Sequence, residues 1–372
     1  MKHKDEYART DVAEKLAGAI RKIPLSRQIN IMEVCGTHTQ AIARLGIRSM
    51  LPGSVRLLSG PGCPVCVTGN DFIDHAIALS ALPGVIITTF GDLFRVPGSY
   101  YSLQLAKGKG ADVRIVYSST NSLEIARQNP DKKVIFLGVG FETTAPTIAA
   151  TIIRAHSERI NNFFVLSGFK TIPNALKYLA ELPDLKLDGL IAPGHLSTVT
   201  GIRLYEEIAD KYGISSVITG FEALDILEGI RLLCGMIGEG KAGVINEYSR
   251  VVKVEGNKKA QALTGQVFEP EDSNWRGIGV IQNSGLKIRE EYSALDARKA
   301  FKVNLPPVKE KAGCICGKVL TGVSTPFECP NFGKVCTPID PIGACMVSSE
   351  GTCAAYYKYL RIKTDREVKW KE

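Results

Sequence analysis

The sequence predicts an α/β protein: two Rossmann-like parallel-sheet domains followed by a small Cys-rich C-terminal domain. Three observations carry this. Between residues 29 and 240, short apolar runs alternate with helical patterns. Nearly every apolar run ends in a Gly- or Pro-containing turn. Six of the ten cysteines fall between Cys314 and Cys353.

The candidate strands are Ile29–Val34, Val55–Leu58, Val85–Phe90, Val113–Tyr117, Val134–Val139, Phe163–Leu166, Gly189–Ile191 and Ser216–Thr219. Val and Ile dominate most of them, as strands buried on both faces require. Amphipathic helices lie between, among them Asn70–Leu82, Ala145–His156, Ile172–Leu182 and Ile202–Tyr212. Such alternation builds parallel sheets from β–α–β units. Eight strands also suit a single (β/α)8 barrel, but uneven element lengths favour two domains with about four strands each. The expected division is residues 1–130, 131–245 and 246–372, with the first break at the QNPDKK turn. Past residue 245 the reading is β-like (Val244–Val254, Ala262–Phe268), then loops and a short helix near Ser293–Phe301. After Pro306 the chain is rich in Gly, Pro and Cys, with little to bury; a metal staple is the expected remedy.

Composition narrows the function classes. In 372 residues, 45% are hydrophobic and 23% charged, ordinary for a chain with a large core. The first residues, MKHKDEYARTDVAEK, lack the apolar stretch of a secretory signal. No run approaches the roughly 18 apolar residues of a membrane span. A cytoplasmic chain is expected, in which ten cysteines mean metal or redox work rather than a disulfide framework. The net charge of +8 is partly carried by Arg361, Lys363, Arg366, Lys369 and Lys371. These alternate with apolar and acidic residues, which reads as a solvated face rather than a nucleic-acid stripe.

The turns read CGTHT, SGPGCPVC, TFGD, GVGFETTAP, SGFKTIP, APGHLST and TGFEALD. In open α/β sheets, turns at the carboxyl ends of the strands form the ligand-binding crest. Cys35, His38, Cys63, Cys66, Glu142 and His195 all lie in them. Cys35 and His38 together suit iron, zinc or copper and leave open positions on the metal; a turn cysteine with a capping histidine is the bland reading. Cys63 and Cys66 form a C-x-x-C pair before a helix, whose dipole favours thiolate and dithiol–disulfide cycling. Half of a zinc site is the alternative. Gly138–Thr144 lacks the third Gly and the Lys of a Walker loop, so it is a weak nucleotide signal. His195 offers an acid, a ligand or a cap hydrogen bond. Cys234 reads as core, and His75 and His156 as structural or exposed.

Downstream, Cys329, Cys336, Cys345 and Cys353 are separated by six, eight and seven residues, with Pro or Gly close by. Irregular loops of this kind wrap an iron–sulfur cubane more readily than zinc, which prefers paired knuckles. Cys314 and Cys316 are then a second redox pair. The alternative makes them ligands and frees two of the later cysteines.

With CGTHT, SGPGCPVC, GFETTAP, APGH and CMVSSEGTC in this order, the chain closely resembles the HypD family of hydrogenase maturation factors, from about residue 20 to 360. The resemblance implies two α/β domains and a third holding a 4Fe–4S cluster. It implies HypC and HypE as partners in building the Fe(CN)2CO unit of NiFe hydrogenases, with HypE presenting cyanide as a thiocyanate on its C-terminal cysteine. Carried over, Cys35 holds a transient Fe(II) that receives CN and CO, with His38 beside it and Cys63/Cys66 as the nearby thiol pair. Cys329, Cys336, Cys345 and Cys353 bind the cluster, and Cys314 and Cys316 form the second pair. A monomer that enters hetero-complexes, without nucleic acid or membrane, is the expected state. The rival readings are an iron–sulfur-fed thiol–disulfide reductase and a zinc-stapled interaction module.

Overall fold

The computed structural model describes residues 10–363 and 368–370. Its strands are β1 (Ile29–Glu33), β2 (Val55–Ser59), β3 (Val85–Thr89), β4 (Asp112–Ile115), β5 (Lys133–Gly138) and β6 (Phe163–Ser167). They continue with β7 (Phe169–Lys170), β8 (Gly189–Pro193), β9 (Ser215–Thr219), β10 (Val244–Asn246), β11 (Phe268–Trp275) and β12 (Gly279–Ile288). A five-stranded sheet runs β10–β9–β8–β1–β2 and a four-stranded sheet runs β4–β3–β5–β6. Every pairing within these two sheets is parallel.

Period-two alternation sorts the apolar side chains of each sheet onto two covered faces. In the five-stranded sheet, Ile29, Ile31, Val55 and Leu57 pack with Ile226, Ile230 and Leu233 of helix Ala223–Gly238. Met32, Leu58 and Leu190 face the other way, toward helices Ile172–Ala180 and Arg203–Tyr212. In the four-stranded sheet, Ile86, Val134 and Phe136 lie with Leu123 and Ile148, while Val85, Ile87 and Ile135 lie with Ile73 and Ile77. Each such side chain contributes about 1.5–3 kcal/mol by leaving water, so the turns at the strand ends stand on a rigid base.

All eight expected strands are present, and two open sheets exclude the barrel. The expected break near residue 130 falls between β4 and β5, which flank β3 in one sheet. The chain starts the five-stranded sheet with β1 and β2, builds the four-stranded one, and returns for β8 to β10. Strand pairing across such distances leaves no local sequence signal.

The region after residue 245 differs more. Ala262–Phe268, expected as β-like, is mostly helix (Lys258–Val267), capped by the Asn257 side chain, which accepts from Ala260 N at 3.1 Å. Ala, Lys and Gln are good helix formers, and they outweigh the apolar ends of that run. Of Val244–Val254, only Val244–Asn246 pairs. The long antiparallel hairpin β11–β12, joined to β7, was not foreseen, because FEPEDSNW carries a proline and little apolar alternation. Near Ser293–Phe301 stand a 3₁₀ turn (Glu290–Leu295) and one helical turn (Ala297–Ala300).

The Cys-rich segment holds short helices, Cys316–Leu320, Ala344–Val347 and Thr352–Tyr359. Its own apolar cluster is small, around Phe332, Met346 and Tyr356. In the basic tail, Arg361–Lys363 pairs with Val368–Trp370, and Arg366 and Lys371 lie outside the described residues. The opening stretch before Thr10 lies outside them as well. Among the described residues no helix is long and apolar enough to cross a membrane.

Candidate functional site

Four turns meet at the carboxyl end of the five-stranded sheet. They follow β1, β2, β8 and β9 and carry Cys35, Cys63, His195 and Phe221. Cys35 caps helix Gly36–Arg44, its sulfur accepting from Thr37 N at 3.4 Å. Cys63 caps the turn Pro64–Val67 in the same way, accepting from Cys66 N at 3.2 Å. Cys63 and Cys66 are joined as a disulfide.

Glycines let these turns touch. A Cβ on Gly62 would stand 2.4 Å from Cys35 Cα, and Gly36 N donates to Gly62 O at 3.2 Å. Gly36 also admits the Cys-rich segment, since its Cβ would lie 2.4 Å from Glu350 O. Beside that contact, Thr37 Oγ1 donates to Glu350 Oε1 at 2.7 Å. Three cysteine-bearing segments, remote in sequence, therefore abut at Cys35.

Burial pushes the Cys35 thiol up to about 11, helped by the Glu350 carboxylate and opposed by the Thr37 contacts. At neutral pH the group is a thiol that a cation would convert to thiolate. His195 Nε2 lies 3.9 Å from Cys35 Sγ. His38 is sealed beneath the turn, its Nε2 bonded to Gly220 O at 2.8 Å and 3.0 Å from Thr219 Oγ1. Its ring stacks on Phe221, and burial lowers its pKa to about 4, so it is neutral. Its buried Nδ1 has no hydrogen-bond partner.

Glu142, in the turn after β5, accepts from Ile172 N at 2.8 Å through Oε1, while its buried Oε2 has no partner. Burial pushes this carboxyl from its ordinary 4.5 up to about 7. The folded state thus holds the proton more tightly than the unfolded chain. The associated stability is full below pH 4.5 and is lost as pH rises toward about 7. Glu142→Gln should remove up to about 3 kcal/mol of that dependence. Melting temperatures of both proteins between about pH 4 and pH 8 check it; an unchanged slope contradicts it.

All six C-terminal cysteines line one small cavity with Phe332, Ile342 and Met346. Cys314 interacts with Cys316, and Cys353 with Cys345; the neighbouring sulfur and burial push the Cys314 and Cys353 thiols up. Cys336 feels Cys314 and Cys329. Cys314, Cys336 and Cys353 therefore resist ionisation until a cation enters, and six soft donors around one cavity are of the type that iron–sulfur or zinc sites use. Among the described residues, no three side chains of the ligating types converge on a common point.

The nest and the Cys63–Cys66 turn share one buried cluster, which contains Cys63, Cys66, Trp275, Cys316 and Cys345. The end of β11 joins them. Arg276 N donates to Val67 O at 2.9 Å, while Gly277 touches Gly317 and its Cβ would lie 3.2 Å from Cys316 Sγ. The fully buried Arg276 guanidinium bonds Thr68 O at 2.8 Å and Asn70 Oδ1. Among the described residues it forms no ion pair with a carboxylate at contact distance, and the groups whose charge it feels most are Cys316, Glu310, Cys345 and Cys314. Its charge opposes the rise that Cys316 and burial impose on the Cys314 thiol.

The Cys35 turn lies against the Cys63–Cys66 turn. The resemblance implies His38 beside the iron; the structure places His38 beneath the turn and His195 Nε2 at 3.9 Å from the Cys35 sulfur. Sequence reasoning missed Glu350 and Arg276. The position of Glu350 inside CMVSSEGTC was the one available signal, and Arg276 in a polar hairpin had none. Cys234 is core, as expected, and His75 is partly buried on helix Asn70–Ser80. His156 lies at the end of helix Ala145–Ser157 against the Tyr292 ring.

The family model HypD, described as Hydrogenase formation hypA family, matches residues 11–360. A Methanocaldococcus jannaschii relative named for hydrogenase expression/formation is 45% identical over 95% of this chain and 96% of its own. The hydrogenase maturation factor HypD of Cupriavidus necator is 42% identical over 98% of both chains. That of Rhodobacter capsulatus is 43% identical over 96% of this chain and 98% of its own. The chain belongs to the HypD family of hydrogenase maturation factors.

Proposed function

We propose that this chain is the redox-active scaffold on which the Fe(CN)2CO unit of NiFe hydrogenases is assembled. Cys35 holds the Fe(II) cargo together with HypC, and HypE delivers cyanide. The observation that carries this reading is the packing of the Cys35 turn against both the Cys63–Cys66 turn and Glu350 of the Cys-rich segment.

Cyanide release from a thiocyanate obeys R–S–C≡N + 2 e⁻ + H⁺ → R–SH + CN⁻. The S–CN bond breaks with its electron pair on carbon, and the sulfur regains electrons and a proton. The dithiol Cys63/Cys66 supplies both electrons as it closes to a disulfide and releases two protons. One proton goes to the HypE thiol, and the other leaves to solvent or to a nearby base. Iron next to that turn captures the cyanide. Cys329, Cys336, Cys345 and Cys353 would hold a 4Fe–4S cluster in this reading, with Cys314/Cys316 as a second thiol pair in the same nest. When bound, the cluster supplies electrons one at a time. The chain's own share is to bury the thiols, exclude water and keep Arg276 beside the sulfurs.

Reduced protein mixed with thiocyanate-bearing HypE should release one cyanide per disulfide formed, and Cys63→Ser should release none. Undiminished release by that variant contradicts the assignment. Cyanide release with no transfer to iron favours the thiol–disulfide reductase. Anaerobically purified protein should carry about four iron and four sulfide for the cluster; zinc without sulfide contradicts both.

A further inference from the structure

We propose that His195, rather than His38, is the imidazole that shares a metal ion with Cys35. This rests on the reading of Cys35 as the metal-holding thiolate and adds the second protein ligand of that site.

The two histidines differ in what surrounds them. His38 is fully buried, and its Nε2 ties helix Gly36–Arg44 to the turn after β9 through Gly220 O and Thr219 Oγ1. Moving that ring toward an ion would break the 2.8 Å bond to Gly220 O and unstack it from Phe221, 4.5 Å away. Its role is to position the Cys35 helix. His195 enters from the turn after β8, its ring centre 5.1 Å from that of Phe221. It is exposed, and its Nε2 faces the Cys35 sulfur. An ion arriving from solvent with a partner protein meets His195 and cannot reach His38.

The distance suits a shared ion. With metal–sulfur and metal–nitrogen bonds of about 2.3 and 2.1 Å, two adjacent ligands stand roughly 3.1–3.6 Å apart. The observed separation is 3.9 Å. Closing it takes a few tenths of an ångström, within the reach of a side-chain rotation. The turn that carries His195 is itself fixed, because the Tyr248 ring packs on Gly194 and Gly220 so closely that Cβ atoms there would lie 2.6 and 2.9 Å from it. Thiolate plus imidazole, with the remaining positions open, selects iron, zinc or cobalt over hard cations. The open positions are where cyanide, carbonyl and a partner thiolate fit.

The test is Co(II) titration of the full-length protein, read by thiolate-to-cobalt absorption. Subtracting the spectrum of Cys35→Ser removes the C-terminal thiols and isolates the Cys35 site. His195→Gln should weaken Co(II) at that site by roughly tenfold or more, whereas His38→Gln, which keeps a donor for Gly220 O, should leave it unchanged. Circular dichroism and melting temperature confirm that each variant is folded. A Cys35-dependent band that survives His195→Gln at full affinity overturns the inference and leaves the Cys35 reading standing. Loss of the band in folded His38→Gln overturns it as well. No Cys35-dependent band in the wild-type protein overturns both.

Discussion

Cys35→Ser is expected to abolish hydrogenase maturation while leaving the fold, and the iron and sulfide proposed for the C-terminal cysteines, in place. The expected loss of activity is about a hundredfold or more, since even outer partners of metal ligands are worth 10- to 100-fold in affinity. The side chain is buried at the cap of helix Gly36–Arg44, and its sulfur accepts a long bond from Thr37 N. A serine oxygen caps a helix at least as well, so the stability of the helix is kept. What is lost is a polarisable sulfur that becomes thiolate only when a cation arrives. Hydrogenase activity in a complemented deletion strain, alongside iron and sulfide counts on the purified variant, separates the two consequences. Maturation at wild-type level by the serine variant contradicts the role.

Gly317→Ala has the largest expected effect on stability. Its Cβ would lie 1.9 Å from Gly277 O and 2.6 Å from Gly277 C, which are backbone atoms that cannot rotate away. Gly277 is itself held in the left-handed region at φ 67°, where a side chain is also disfavoured. Separating the two backbones opens the seam between the Cys316 helix and the end of β11. That seam buries Trp275, whose Nε1 donates to Ser284 Oγ at 2.8 Å, and the Arg276 guanidinium. We expect a loss of at least about 3 kcal/mol, seen as a lower melting temperature and as faster thiol labelling of Cys316. Gly265→Ala, where a Cβ meets nothing within 4 Å, is the matched control. Equal melting temperatures for the two variants contradict the proposed seam.

The strands were legible because β3, β5 and β6 are Val-, Ile- and Phe-rich runs buried along nearly their whole length. Their assembly was not. β1 pairs with β8 across more than a hundred and fifty residues, and that choice depends on which helices cover which face. The polar hairpin β11–β12 escaped for the opposite reason, since Glu269, Glu271 and Lys287 are exposed or half-buried and pair as ions rather than packing. At the site, turn residues next to cysteines could be read from local motifs. His195 reaches the Cys35 sulfur, and Glu350 and Arg276 reach the turns beside the cysteines, from other segments, so only the tertiary packing brings them there.

The central claim is that iron carrying cyanide and carbon monoxide sits on Cys35. The infrared spectrum of this chain, purified anaerobically from cells that also make HypC and HypE, tests it most directly. The account predicts cyanide and carbonyl stretching bands in the wild-type complex and none in the Cys35→Ser complex of equal HypC content. Bands of undiminished intensity in the serine variant would contradict it.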